Sequence, residues 1–343
     1  MRNKIVIVLC SLIALLILGS FFQLTPREFQ VNNSKSPAST ILVPSLRILL
    51  VGDIMMARGV AALTDQFGLA YPFTKIESLF SHSAWDFIYG NLEGPVRAEA
   101  LPVAFHAMSF EYSPQISHFL AQLGFNILNL ANNHVADQGK EAVLQTRDYL
   151  QKDGIIPLGD PNDCSLKYGF QKEPLVFLGA NLVYQNKTCV LELIESITKL
   201  KKQNPSLFVI VTPHWGPEYQ KEPDNFQKQT AHQLIEAGAD LIVGHHPHVV
   251  QGIEEYQGKL IFYSLGNFVF DQYFSKETQE ELALSLDYQP QQQIFTLIPL
   301  ESQKSQLNFL EGTERQIFFD KLAQISSLSL RDEIQKGVII RHN

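Results

Sequence analysis

Asp240-Leu-Ile-Val-Gly-His-His-Pro-His248 reads as a short apolar strand that runs directly into three histidines. The same design recurs four times upstream. Ile48 to Val51 lead into Gly52-Asp53, and Phe87 to Tyr89 into Gly90-Asn91-Leu92-Glu93. Asn126 to Ala131 lead into Asn132-Asn133-His134, and Leu207 to Thr212 into Pro213-His214-Trp215-Gly216. Between these runs the apolar period changes to that of a helix. Ser113-Pro114 start a helix whose face is Ile116, Phe119, Leu120 and Leu123, and Gly124 stops it. Lys140 to Lys152 form a second, followed by a short strand at Ile155 to Leu158. Further helices are expected at Val190 to Lys202 and, capped by Asp224, up to Ala237. Strands alternating with helices predict an α/β fold with parallel segments.

In such sheets ligands gather at the carboxyl ends of the strands. That rule brings Asp53, Glu93, Asn133, His134, His214 and the 245–248 cluster to one rim. Each residue alone has an ordinary explanation: a turn for Gly-Asp and Asn-Asn, a solvated acid for Glu93, a core histidine for His214. Three histidines in four residues are harder to explain structurally, and His at i and i+2 of an extended segment point to one side. Mixed His, Asp, Glu and Asn donors suit Mn, Zn or Fe, and one or two such divalent ions would activate a water and clamp a phosphoryl oxygen.

The chain of 343 residues carries a formal charge of −8, and its first 24 residues hold Arg2 and Lys4 but no acid. The remainder is therefore more acidic still, which argues against nucleic acid as a partner. Ile5 to Phe22 is an apolar run without charge, long enough for a bilayer. The basic residues before it predict a single-pass anchor at 1–24 in the cell membrane, with the rest outside the cytoplasm. A cleavable signal peptide is the rival, but no small-x-small site follows the run. Residues 25–45, rich in Ser, Asn, Pro and Lys, predict a flexible linker. The main domain is expected at 46–300. Within it, Lys259 to Ser264 is a strand, and Glu281 to Tyr288 pairs with Gln293 to Leu300 around Pro290. Residues 301–343 are expected to be a helical extension, with a helix from Glu314 to Arg331. Cys164 and Cys189 show no metal spacing and are either a disulfide or two free thiols.

Six motifs, Gly52-Asp53-Ile-Met, Gly90-Asn-Leu-Glu-Gly94, Asn132-Asn-His-Val-Ala-Asp-Gln-Gly139, His214-Trp-Gly-Pro-Glu-Tyr219, Gly244-His-His-Pro-His-Val-Val-Gln251 and Ser264-Leu-Gly-Asn-Phe268, resemble the CapA family of poly-γ-glutamate capsule synthesis proteins. That family is similar to the calcineurin-like metallophosphoesterases. The resemblance implies a four-layer α/β/β/α sandwich, a site of one or two metals, and a role in capsule or related envelope-polymer synthesis. Its substrate would be an envelope polyanionic polymer or a phosphoester, and capsule synthesis and export proteins would be its partners. Carried over residue by residue, Asp53, Asn133, His214, His246 and His248 match metal ligands. His134 matches the acid that protonates the leaving group, and Asp137 would orient it. Glu93, or Asn91 in its stead, falls where a bridging Asp stands, and His245 is an alternative to His246. Met55 departs from the pattern, which has His there, and Asn91 with Glu93 departs from its pair of Asp. These departures leave open a non-catalytic scaffold that binds polymer within a capsule assembly.

Overall fold

The structure, a computed structural model, describes residues 45–81, 85–98 and 109–342. The expected anchor at 1–24 and nearly all of the expected linker lie outside these residues. Among the described residues no helix is long and apolar enough to cross a membrane.

The chain opens with β1 (Leu46–Ile54), α1 (Arg58–Phe67), β2 (Phe87–Leu92), α2 (Pro114–Gln122), β3 (Ile127–Asn129), α3 (Gly139–Lys152) and β4 (Ile156–Leu158). Here β1, β2, β3 and β4 pair in parallel. A second run follows: β5 (Phe170–Lys172), β6 (Leu175–Asn181), α4 (Lys187–Gln203), β7 (Phe208–His214), α5 (Asn225–Glu236), β8 (Leu241–Val243), β9 (Ile253–Tyr256) and β10 (Lys259–Phe262). Its strands form a six-stranded sheet in the order β5-β6-β7-β8-β10-β9. Then β11 (Asn267–Val269) returns to pair with β1, and β12 (Glu280–Gln289) and β13 (Gln292–Gln303) continue the first sheet on the other side of β1. The chain finishes with β14 (Gln306–Phe309), α6 (Gly312–Gln324), α7 (Arg331–Lys336) and β15 (Val338–His342). The first sheet has nine strands.

Alternate residues of the strands explain the layers. Ile48 and Leu50 of β1 join Phe177, Ile210 and Val243 of the other sheet in one buried cluster between the sheets. Leu49 and Val51 point the other way, into a cluster with Ile116 and Leu120 of α2 and Val143 of α3. Val176, Val209 and Ile242 likewise face Leu193 and Ile197 of α4 and Leu234 of α5. Strands covered on both faces read as unbroken apolar runs, which is why the five runs stood out. The order is helix, sheet, sheet, helix, in the α/β class expected.

Several boundaries differ from expectation. Helix α4 starts at Lys187 because the Asn186 side chain accepts from the Cys189 N–H at 3.2 Å. Asp224 caps α5 in a complete capping box with Gln227, as read. Ser113 stands at the N-cap of α2, but its side chain caps nothing, and Pro114 alone opens the helix. The expected helix from Glu314 to Arg331 is broken. α6 ends at Gln324, where the Ser326 and Ser327 hydroxyls instead accept from the N–H groups of Ile253 and Glu255. Serine favours such local bonds over helix interiors. Residues 301–343 are thus strand in part, since β14 and β15 both pair with β13.

Candidate metal centre

Strand β1 delivers Asp53. A Cβ on Gly52 would lie 2.0 Å from the Gly266 carbonyl oxygen, so only glycine lets β1 approach the chain there, and the Asp53 N–H donates to that oxygen at 3.0 Å. The Asp53 carboxylate is fully buried. It accepts from the Asn91 amide at 2.8 Å and from the His246 N–H at 3.2 Å. Burial opposes its charge, but His245 and His248, at 3.3 and 3.4 Å, hold its pKa well below the carboxylate range.

Strand β2 delivers Asn91 and Glu93, and their surroundings tell them apart. The Asn91 amide is consumed: it donates to Asp53 and meets His214 Nδ1 at 3.3 Å, and its oxygen accepts from Asn129 and Asn132. Glu93 is fully buried, and among the described residues neither of its oxygens has a hydrogen-bond partner. They face His248 Nε2 at 3.6 Å and His134 Nε2 at 3.9 Å. Burial, reinforced by Asp53 and Glu218 against the pull of His248 and His134, raises its pKa to about 8.

After β3 the two asparagines divide the work. Asn132 builds the turn, accepting from the His134 and Val135 N–H groups at 3.1 and 2.9 Å. Asn133 reaches the site, with its oxygen 2.9 Å from His214 Nε2. Asp137 lies 3.0 Å from His134 Nδ1, and although burial opposes it, that bond raises the imidazole pKa.

The second sheet supplies the other wall. His214 ends β7 and, being fully buried beside other histidines, stays neutral, its pKa well below the usual value. The turn after β8 is not extended, as the i, i+2 argument assumed: His246 and His248 have φ of +94° and +58°. Such backbone is costly for residues with a Cβ and persists only where neighbours enforce it. Here the Tyr219 N–H donates to the Pro247 carbonyl at 2.8 Å, and the Trp215 N–H to that of His245 at 3.0 Å. The turn brings both the His246 and His248 rings to the site. His245 turns back, with Nε2 3.0 Å from the Tyr89 hydroxyl. Burial holds His246 neutral, at about 3. Burial also opposes charge on His248, but Glu93 and Asp53 around it raise it to about 9. His248 Nδ1 is 2.9 Å from the Asn267 oxygen, which turns its Nε2 toward Glu93.

All eight residues singled out from the sequence therefore converge. Glu218 was missed as a site residue, because one acid two residues past a glycine carries no signal of its own. It stands with His246 and His248, and Asp53 stands with Glu93 and His214: within each trio the donor atoms lie within 4.8 Å of one another. Asn267 was missed in the same way. Above the site opens a cavity of about 310 Å³, lined in part by Arg58, Phe110, His134, Glu218, Tyr219 and His248. Arg58 is held in the wall by Asp271, Nε to Oδ2 at 3.2 Å, with Phe110 and Phe270 under its guanidinium.

The residues fit divalent cations. Buried carboxylates converge with the neutral imidazoles of His214 and His246, the Glu93 oxygens and His246 Nδ1 lack hydrogen-bond partners among the described residues, and a cation would favour the charged form of Glu93 that burial opposes. Met55 is no part of this: it is buried in the helix-side core, where its sulfur accepts from the Ala57 N–H at 3.1 Å.

The sequence profile of the bacterial capsule synthesis protein PGA_cap matches residues 47–168 and 179–272. The chain belongs to that family. The PGA biosynthesis protein CapA of Bacillus subtilis is 36% identical over 251 residues, 68% of this chain and 65% of that protein. The capsule biosynthesis protein CapA of Bacillus anthracis is 32% identical over 266 residues, 69% of this chain and 62% of that protein. The PGA_cap chain described here thus spans less than two thirds of either relative. Among solved structures, the purple acid phosphatase PPD1 of yellow lupin matches 78% of this chain and 53% of its own. Its TM-score of 0.38 and 8% identity are too low to bear on function.

Proposed function

We propose that this member of the PGA_cap family is a metal-dependent, phosphoesterase-like hydrolase of capsule, poly-γ-glutamate or related envelope-polymer synthesis. We further propose that residues 1–24 anchor it in the membrane with the domain outside. The single observation that carries the hydrolase reading is the buried Glu93 carboxylate, which has no hydrogen-bond partner among the described residues and whose Oε1 faces His248 and His134. Asp53, Glu93, Asn133, His214, His246 and His248 would hold one or two ions. A bound ion supplies Lewis acidity and a water of lowered pKa. The chain's own residues do the rest. Asp137 accepts from His134 Nδ1–H and leaves Nε2 turned inward, so the protonated imidazole can give its Nε2 proton to the leaving group. The Asp137 bond, which raises the His134 pKa against burial, favours that protonated form. Phe110 and Phe270 wall the cavity against water.

The test is metal analysis of the purified protein with phosphomonoester and phosphodiester screens in Mn²⁺. His134→Ala should lower kcat by about 10²–10⁴ while leaving metal content unchanged. Wild type without metal, or His134→Ala equal to wild type on every substrate, sinks the hydrolase reading.

Met55 in the core and the consumed amide of Asn91 favour a second reading, a non-catalytic scaffold that binds polymer in a synthesis or export complex. Capsule production that survives His246→Ala with His248→Ala supports the scaffold.

A further inference from the structure

His246 Nδ1 is buried without a hydrogen-bond partner among the described residues, and a carboxylate from another loop stands near it. The loop after β7 accounts for this. Gly216, at φ +81°, turns it, and a Cβ there would meet the Gln227 side chain at 2.4 Å. The Tyr219 N–H bond to Pro247 then pins the loop to the 246–248 turn. Glu218 is carried to within 4.8 Å of the ligand atoms of His246 and His248.

We propose that Glu218, His246 and His248 form a second divalent-cation position, in which Glu218 supplies the third ligand. This rests on the hydrolase reading above and names a ligand within the same site. Among the described residues His246 Nδ1 is buried without a hydrogen-bond partner, and His246 is 4% exposed. Two imidazoles and one carboxylate form a set suited to Zn, Mn or Fe that leaves a coordination position open. Glu93, a member of the trio with Asp53 and His214, lies 3.6 Å from His248 Nε2 and so adjoins both sets. The two positions draw their ligands differently: Asp53 and Glu93 come from β1 and the end of β2 with only His214 from the second sheet, whereas Glu218, His246 and His248 all come from loops of the second sheet.

The experiment is metal stoichiometry of the full chain in detergent, after dialysis against excess Mn²⁺ or Zn²⁺ and removal of free ion. Wild type should hold two equivalents. Glu218→Ala and His246→Ala should each hold one, and Asp53→Ala should lose the other. Glu218→Gln, which keeps size and removes charge, should bind one equivalent at least tenfold more weakly by calorimetry. Unfolding transitions close to that of wild type show that each variant folds. Wild type without metal ends both this inference and the hydrolase reading. Wild type with metal, but Glu218→Ala and Glu218→Gln unchanged in content and affinity, ends this inference alone.

Discussion

Glu281, on β12, is 1% exposed, and among the described residues neither carboxyl oxygen has a hydrogen-bond partner. Burial, helped by Glu301, raises its pKa well above the carboxylate range. The unfolded chain releases this proton near pH 4.3. Above that pH the native state binds more protons than the unfolded state, so stability falls as pH rises toward the native pKa. The slope approaches about 1.4 kcal/mol per pH unit. Glu281→Gln removes it. The variant should lie close to wild type at pH 4 and exceed it in stability at pH 8. Thermal unfolding at both values checks this, and an equal difference at both would refute it. At the same scale, the sequence exposed acids and histidines that follow apolar runs, such as Asp53, His214 and His248. It set Glu93 ahead of Asn91 only through the resemblance, because their physical difference lies in partners from β1, β3 and the following turn. Glu218 was hidden for a related reason: only the pinned loop makes it a neighbour of His246.

Strand ends carry the site, so their positions depend on where strands are allowed to touch. Gly244 ends β8, and a Cβ there would sit 2.1 Å from the Tyr263 carbonyl oxygen and 2.5 Å from Trp215 Nε1. Those two atoms share a hydrogen bond of 2.9 Å. Gly244→Ala must therefore separate β8 from the chain after β10, or break that buried bond. Overpacking costs roughly 1–3 kcal/mol and an unsatisfied buried partner about as much again. The variant should lose on the order of 3 kcal/mol and bind metal more weakly, because the 245–248 turn moves with β8. Calorimetric unfolding with metal analysis reads both, and a variant with wild-type stability and metal content would refute the steric account. Elements with a strong period or a long apolar run were legible, including β1, β7 and α5. The break after Gln324 was not, because it is set by Ser326 and Ser327 bonding a strand some 70 residues earlier.

For the molecule as a whole, the most informative tertiary link outside the site is the disulfide between Cys164 and Cys189, a choice the sequence left open. It ties the loop before β5 to the first turn of α4 across a sequence separation of 25, with Cα atoms 5.4 Å apart. Closing a loop of that size restricts the unfolded chain by about 3 kcal/mol in the entropic account. Cys164→Ser should thus lower Tm by about 5–10 °C. Metal content should hold, since both cysteines pack in the cluster under α4. The bond also bears on which side of the membrane the domain occupies, because disulfides persist in oxidising compartments and are rare in the cytosol. If residues 1–24 anchor the chain and the domain lies outside, Cys164 and Cys189 should be oxidised in living cells. The measurement is acid-quenched thiol labelling with a mass-tagged maleimide, in a Cys10→Ala background, before and after reduction. Two added tags only after reduction agree with an outward-facing domain. Two tags without reduction would place the domain in a reducing compartment and remove the outward-facing anchor from the proposal, leaving the metal site and its tests untouched.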